Sequence, residues 1–317
     1  MVIGRNEGER LARCLSSVQG DADAVVYVDS GSTDDSLARA RAAGARIVEL
    51  DMSRPFTAAR ARNAGAAELA EIAPAVEHVH FIDGDCEILP GWIDAARAFL
   101  RDHPEVAVVS GRLRERFPEA TVYNRLCDRE WSAPAGEARS CGGIALMRRD
   151  AFAAAGGFRP DLIAGEEPEL CVRLRRDGWR VWRIDADMAL HDAAMTRFGQ
   201  WWTRARRAGH AFAEGAALHG APPERHGVAG ATRALAWGAA LPLATLLLLA
   251  VTPWAALLLL AYPLQVLRLA VREGPRRRAS WEHALFTTLG KFAEAQGALG
   301  YWRGRLLGRK GALIEYK

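Results

Sequence analysis

What this 317-residue chain lacks narrows its chemistry before any motif is considered. Its five cysteines, at 14, 86, 127, 141 and 171, show no C-x-x-C spacing. That argues against zinc and disulfide roles and predicts reduced thiols in a cytosolic environment. No signal-peptide pattern opens the chain, since Met1 to Gly4 is followed at once by Arg5, Glu7, Glu9 and Arg10, so the bulk is expected to stay cytoplasmic. GRNEGERL, residues 4–11, is not a glycine-rich, lysine-bearing phosphate loop, which removes the feature with which a nucleotidyltransferase would usually announce itself.

Charge is also missing from one long stretch. No charged residue falls between Ala234 and Leu267, and Arg268 is the only one up to Val271. One helix needs about 20 residues to cross the hydrocarbon core, so this stretch suits two. Thr252 and Pro253 supply the turn, which predicts a transmembrane hairpin over 234–271 with helices near 234–251 and 254–271. Arg233 before it and Arg272, Arg276, Arg277 and Arg278 after it place both ends on the cytoplasmic side of the inner membrane. From Arg268 to Lys317 there are eleven Lys and Arg against four Glu, while the rest of the chain is net −3. A basic tail flanking an apolar stretch suits anionic lipid headgroups and not nucleic acid. Trp281 to Leu299 within the 272–317 tail reads as an amphipathic helix lying on the membrane or on the preceding domain. Arg197 to His219, with Trp201, Trp202 and Phe212 among arginines, reads either as interfacial or as an ordinary packed helix, and 220–233 reads as linker.

The first 110 residues alternate short apolar runs with helix-period segments. Strands are expected at Val2–Ile3, Ala24–Val28, Arg46–Leu50 and Val79–Ile82, and helices at Glu7–Gln19, Asp34–Ala43 and Thr57–Ile72. This βαβαβαβ order predicts an α/β domain with a Rossmann-like, mostly parallel sheet covered by helices on both faces. A helix at Pro90–Arg101 and a strand at Val106–Ser110 follow, then a less regular, partly helical insertion over 112–140. Beyond it come a Gly-Gly close-approach point at 142–143, a helix over Gly165–Asp177, and two strands, Trp179–Ile184 and Met188–His191. The domain is expected to span 1–219, with a nucleotide-binding half at 1–110 and an acceptor half at 111–219.

Five constellations carry candidate chemistry. In HVHFIDGDCEI, Asp83 and Asp85 end a strand, where ligands collect in open α/β sheets; they offer two hard oxygen ligands for a divalent cation, although Asp-Gly is also common turn chemistry. In VVYVDSGSTDDSL, Asp29 stands at a strand end before a helix, facing any nucleotide, while Asp34 and Asp35 suit helix capping. Arg60, Arg62 and Asn63 fall within one helical turn and can meet phosphate or base edges, or simply form a solvated face. Glu166 and Glu167 open a helix, close enough for mutual repulsion to raise one pKa, as a general base requires; the plain alternative is dipole compensation. His191 ends an apolar strand and is either a third metal ligand or structural.

Taken in order, GRNEGERL, VDSGSTDDS, ARNAG, FIDGDCEI, CGGIALMRR and GEEPELCVRLRRDGW resemble the family 2 inverting glycosyltransferases of GT-A fold, over residues 1–195. The resemblance implies a nucleotide-sugar donor of UDP or GDP type with its base near Asp29 and Arg62. It implies that Asp83 and Asp85 hold the ribose and a Mg or Mn ion on the diphosphate, with His191 completing the ion's shell. The base belongs to the acidic pair, whose second member is Glu167 where the family commonly has Asp, so both Glu166 and Glu167 stay in play. QWWTR at 200–204 lacks the Arg-Trp order of the processive synthases. With the hairpin and basic tail, the expected activity is inverting hexosyl transfer to a lipid-linked or glycan acceptor in surface polysaccharide or glycolipid synthesis. A polyprenyl-phosphate glycosyl synthase is the alternative, and a nucleotidyltransferase the more distant one.

Overall fold

The computed structural model describes residues 1–308; Arg309, Lys310 and Lys317 of the basic tail lie outside the described residues. Contacts divide the chain into two compact units, residues 1–118 with 127–194, and residues 119–126 with 195 onward.

The first unit is built on a nine-stranded mixed sheet. Strands β1 (Val2–Gly4), β2 (Val26–Asp29), β3 (Arg46–Glu49) and β4 (His78–Asp83) form a run of parallel neighbours, in the order β3-β2-β1-β4. Helices α1 (Glu9–Val18), α2 (Ser36–Ala42) and α3 (Ala58–Ile72) make the crossovers, as βαβ patterning requires. The sheet continues through β5 (Cys86–Ile88), β6 (Val106–Glu115), β7 (Gly136–Glu137), β8 (Ala145–Arg148) and β9 (Arg180–His191), where β8 runs antiparallel to both β4 and β6. The remaining helices of this part of the chain are α4 (Trp92–Asp102), α5 (Val122–Trp131), α6 (Arg149–Ala154) and α7 (Glu166–Arg176).

Strand alternation explains why both faces are covered. Val26, Val28, Val79 and Phe81 point into one core with Leu69, Phe152, Phe158 and Leu170, whereas Tyr27 and Ile82 point into the other with Leu11, Leu15, Trp92 and Leu100. Phe81, Phe152 and Phe158 meet one another at centroid separations of 5.1 to 5.3 Å.

Two expectations for this unit change. The strands expected at Trp179–Ile184 and Met188–His191 are one strand, β9; the polar Asp185 and Asp187 that appeared to break it are exposed and answered by Arg112 and Arg114 on β6. The stretch 112–140 is also more regular than expected, since β6 runs on to Glu115 and α5 and β7 follow.

The second unit is helical. Its long helices are α8 (Phe198–His219), α9 (Val228–Leu235), α10 (Leu241–Leu249), α11 (Ala261–Glu273) and α12 (Arg278–Leu306). A π-helical stretch, Ala236–Ala240, joins α9 to α10, and a 3-10 stretch, Pro253–Leu260, leads into α11. Val228–Leu249 and Pro253–Glu273 are each long and apolar enough to cross a membrane, by length and composition. Their large apolar side chains face outward, with Leu246 67% and Trp254 74% exposed. The linker expected at 220–233 is shorter, because α9 already begins at Val228, and α8, assigned by sequence to the domain at 1–219, packs in this unit.

Helix α12 corrects another expectation. It is not amphipathic: Ser280, Ala284, Thr288, Gly290, Ala293, Ala295, Gly297 and Ala298 are buried as it packs against α8, which falls within the span expected for the preceding domain, and against α9 and α11. A methyl group added at Gly209 would stand 1.9 Å from the Glu294 carbonyl oxygen, and one at Gly297 1.9 Å from that of Arg206. Backbone meets backbone there, the close approach that small residues allow between helices.

Candidate active site

Each candidate carboxylate is placed by a strand or helix end. Asp29 closes β2, and its Oδ2 accepts from the Gly31 and Ser32 amides at 3.0 and 2.8 Å while Oδ1 accepts from the Tyr27 hydroxyl at 3.0 Å. Gly31 takes the left-handed conformation this turn requires, with φ +83°. Asp29 therefore fixes the loop after β2. The neighbouring loop closes on it through Asn6, whose Oδ1 accepts from the Thr33 amide at 2.7 Å and whose amide donates to the Ser32 hydroxyl at 2.9 Å.

Asp83 ends β4, and Asp85 follows through Gly84, whose amide donates to the Ile3 carbonyl at 2.8 Å. The two aspartates have different partners. Antiparallel pairing sets Cys86 of β5 opposite His191 of β9, which brings His191 Nε2 to 3.0 Å from Asp85 Oδ2. Asp85, Cys86 and His191 form one potential ligand set; Asp83 is not part of it. The Trp131 ring lies against His191 at 4.6 Å between centroids. Beneath them Glu115 accepts from the Ala193 and Phe117 amides at 3.1 and 3.2 Å, and burial pushes its carboxyl up.

Asp83 instead meets Arg62, which reaches from α3 with 4% of its side chain exposed. One Arg62 amine donates to Asp83 Oδ1 at 2.8 Å and the other to Glu166 Oε1 at 2.6 Å, so a single guanidinium ties the D-G-D turn to the mouth of α7. Burial opposes the arginine's charge, but the two carboxylates outweigh it and hold the guanidinium above its ordinary value. Gly143 makes the approach possible: a methyl group there would stand 3.0 Å from the guanidinium and 3.1 Å from Asp83 Oδ2. Asn63 does not offer itself to base edges, because its side chain pairs with the backbone of Phe158 through bonds of 2.7 and 2.9 Å.

Glu167, beside Glu166 in sequence, has a different setting. Its Oε1 accepts from the Cys141 amide at 2.5 Å and lies 2.9 and 3.1 Å from the Cys141 and Cys171 sulfurs. Burial raises its carboxyl above the usual range, while these hydrogen bonds pull the other way. Repulsion from Glu166, the cause expected from sequence, is the smallest contribution.

The N-terminal part of the chain, residues 1–155, matches the profile of glycosyl transferase family 2. That N-terminal part carries a family 2 glycosyltransferase match. Over nearly its whole length the chain is similar in fold to the mannosyltransferase PcManGT of Pyrobaculum calidifontis, solved in complex with GDP-Man and Mn2+. The TM-score is 0.62 and the identity 23%, covering 94% of this chain and 86% of that one. The sheet with its flanking helices is thus of GT-A type. Among curated proteins, a TPR repeat-containing protein of Synechococcus elongatus is 35% identical over 127 residues, 39% of this chain. An uncharacterized glycosyltransferase of Rickettsia conorii is 47% identical over 47 residues, 15% of this chain. The matched stretches span only 29% and 17% of those relatives' own lengths.

Sequence reasoning singled out Asp29, Arg62, Asp83, Asp85, Glu166, Glu167 and His191. The structure brings Arg62, Asp83 and Glu166 into one ion-paired group and Asp85 with His191 into another, and sets Glu167 among thiols. It adds Cys86, Glu115, Trp131, Cys141 and Cys171. The available signal for the two last was only that Cys141 and Cys171 lie within motifs already marked, CGGIALMRR and GEEPELC.

Proposed function

We propose that this glycosyltransferase moves a hexosyl unit, with inversion, from a UDP- or GDP-sugar to an acceptor hydroxyl or phosphate borne on a membrane lipid, at the cytoplasmic face of the inner membrane. The observation that carries the reading is the Arg62 bridge, which draws the D-G-D turn and the mouth of the two-glutamate helix into one group. A leaving diphosphate and an attacking acceptor must be handled on opposite sides of one anomeric carbon, so their machinery has to converge in this way.

Asp85 and His191 would hold a divalent cation. The donor set suits one: a carboxylate oxygen and an imidazole nitrogen 3.0 Å apart, steered together by strand pairing. Such an ion, Mn or Mg, supplies charge neutralisation of the diphosphate. Asp83 serves the donor as a hydrogen-bond acceptor held in place by Arg62, and Asp29 shapes the loop beside the nucleotide. Glu167 is the base: Oε1 is anchored by the Cys141 amide, and its carboxyl, raised by burial, takes the acceptor proton as the new bond forms. The GDP-Man and Mn2+ in the Pyrobaculum mannosyltransferase support the donor class. The two apolar helices support a lipid-borne acceptor, since they would hold the chain where such an acceptor resides.

The test is transfer from a panel of labelled nucleotide sugars to a detergent extract of membrane lipids, with Mn or Mg. A lipid-extractable product whose anomeric configuration is opposite to the donor's is expected. Label appearing only as free sugar, or on a water-soluble acceptor alone, defeats the lipid-acceptor reading. Polyprenyl phosphate and polyprenyl-diphosphate-linked sugar, offered separately, distinguish the two acceptor chemistries.

A further inference from the structure

Three potential ligands that glycosyl transfer does not need as a set stand together beneath the base. Cys171 lies one helical turn after Glu167 on α7, and Cys141 enters from the loop before β8. The two sulfurs are 3.9 Å apart, and Glu167 Oε1 is 2.9 and 3.1 Å from them; all three residues are buried. Two thiolates sharing one tetrahedral zinc ion at about 2.3 Å each stand roughly 3.8 Å apart. The sulfur separation thus already matches an ion-bound pair, and the carboxylate oxygen supplies a third corner.

We propose that Cys141, Glu167 and Cys171 form an inhibitory binding site for a soft divalent cation of the zinc class, separate from the Asp85 and His191 site. Thiolates select zinc or cadmium over magnesium and manganese, which prefer oxygen. On binding, each thiol releases its proton to solvent, and both sulfurs and the carboxylate donate lone pairs to the ion; the fourth position is left for water. Both thiols must lose their protons to bind, so affinity rises with pH. Occupancy would engage the carboxylate that accepts the acceptor proton. That consequence rests on Glu167 being the base, while binding itself does not.

Cadmium titration of the full chain in detergent, without nucleotide sugar or manganese, tests the site through the ultraviolet thiolate-to-cadmium charge-transfer band. A Cys86→Ser background removes the thiol beside Asp85. One equivalent of cadmium should develop the band in this background. Adding Cys171→Ser, or in a second protein Cys141→Ser, should weaken binding at least tenfold; both substitutions nearly preserve side-chain size. No band, or a band unchanged by either serine, overturns the site. In the wild-type chain at saturating Mn2+, Zn2+ should inhibit transfer, and Cys171→Ser should lose at least tenfold of that sensitivity. A band without inhibition overturns the inhibitory role and with it the assignment of Glu167 as base, leaving the ion site standing.

Discussion

In the first unit one buried guanidinium, that of Arg62, meets two carboxylates at 2.8 and 2.6 Å, whereas in the second unit α8 and α12 meet where Gly209 and Gly297 leave no room for even a methyl group. The first unit is organised at its candidate site by charge, with each carboxylate given a named partner. The helical unit is organised by volume, and its ion pairs, such as Arg125 with Glu282, are partly exposed. A buried ion must be paired or it costs several kcal/mol, while helices in contact gain from every atom that allows closer approach. The two units should therefore fail under different substitutions.

The largest effect is expected where charge and chemistry coincide. Glu167→Gln keeps the shape of the side chain but removes the proton acceptor. Transfer should fall by about 10² to 10⁴-fold, the usual worth of a general base, with donor binding retained. In the wild type the acid limb of the rate profile should lie above the ordinary carboxylate value of about 4.3, because burial raises this group. The sign follows from the base acting in its charged form, so transfer is lost as pH falls through the raised value. A pH series of kcat/KM checks both, and an acid limb unmoved by Glu167→Asp would take the role away from this residue.

Next comes Arg62→Met, which leaves Asp83 and Glu166 as neighbouring carboxylates without their common partner. Asp83 keeps 34% and Glu166 11% of its side chain exposed, so water screens part of the loss, and a cost of about 1–3 kcal/mol is expected, as for leaving polar groups without their partner. Thermal unfolding of the variant measures it, and the loss should shrink when Asp83→Asn and Glu166→Gln remove the stranded charges. A loss unchanged by them would mean that Arg62 matters here by packing against Phe158, over whose ring it lies at 5.7 Å.

For the helical unit, Gly297→Val adds no charge and should still destabilise by about 1–3 kcal/mol, the range for overfilling a packed contact. Detergent-solubilised thermal unfolding checks this. A neutral result would show that α8 and α12 have space between them, contrary to the 1.9 Å approach at this position.

How much of this was legible in sequence follows the same divide. The strands, the crossovers and the D-G-D turn could be read because they are local: period-two apolar runs and turn residues announce themselves within ten positions. Glu167 was legible as a candidate base, but its partners were not, because Cys141 lies 26 residues away and the pair of thiols has no spacing rule. Arg62 was legible as a cation near a ligand, and only the fold reveals that it is shared between residues 21 and 104 positions distant. Helix α12 misled for a physical reason: it is buried through alanine, glycine, serine and threonine on several sides, so hydrophobic periodicity does not mark its contacts. Asp185 and Asp187 misled in the opposite sense, since exposed charges on β9 looked like the end of a strand that continues through them.

The smallest expected effect completes the comparison. Arg125 donates to both Glu282 oxygens at 3.0 Å, and Glu282 also accepts from Arg278 at 2.7 Å, so Arg125→Gln leaves the carboxylate with a cation. Arg125 and Glu282 keep 22% and 15% of their side chains exposed, and solvent screens what is lost. The expected cost is about 0.2–1 kcal/mol, against about 1–3 kcal/mol for Arg62→Met. Paired unfolding measurements at low and high salt separate the two cases, with the Arg125 contribution fading as salt rises and that of Arg62, sealed from solvent, persisting. Should Arg125→Gln cost as much as Arg62→Met, charge would organise the helical unit as well, and the division between the two units would fall.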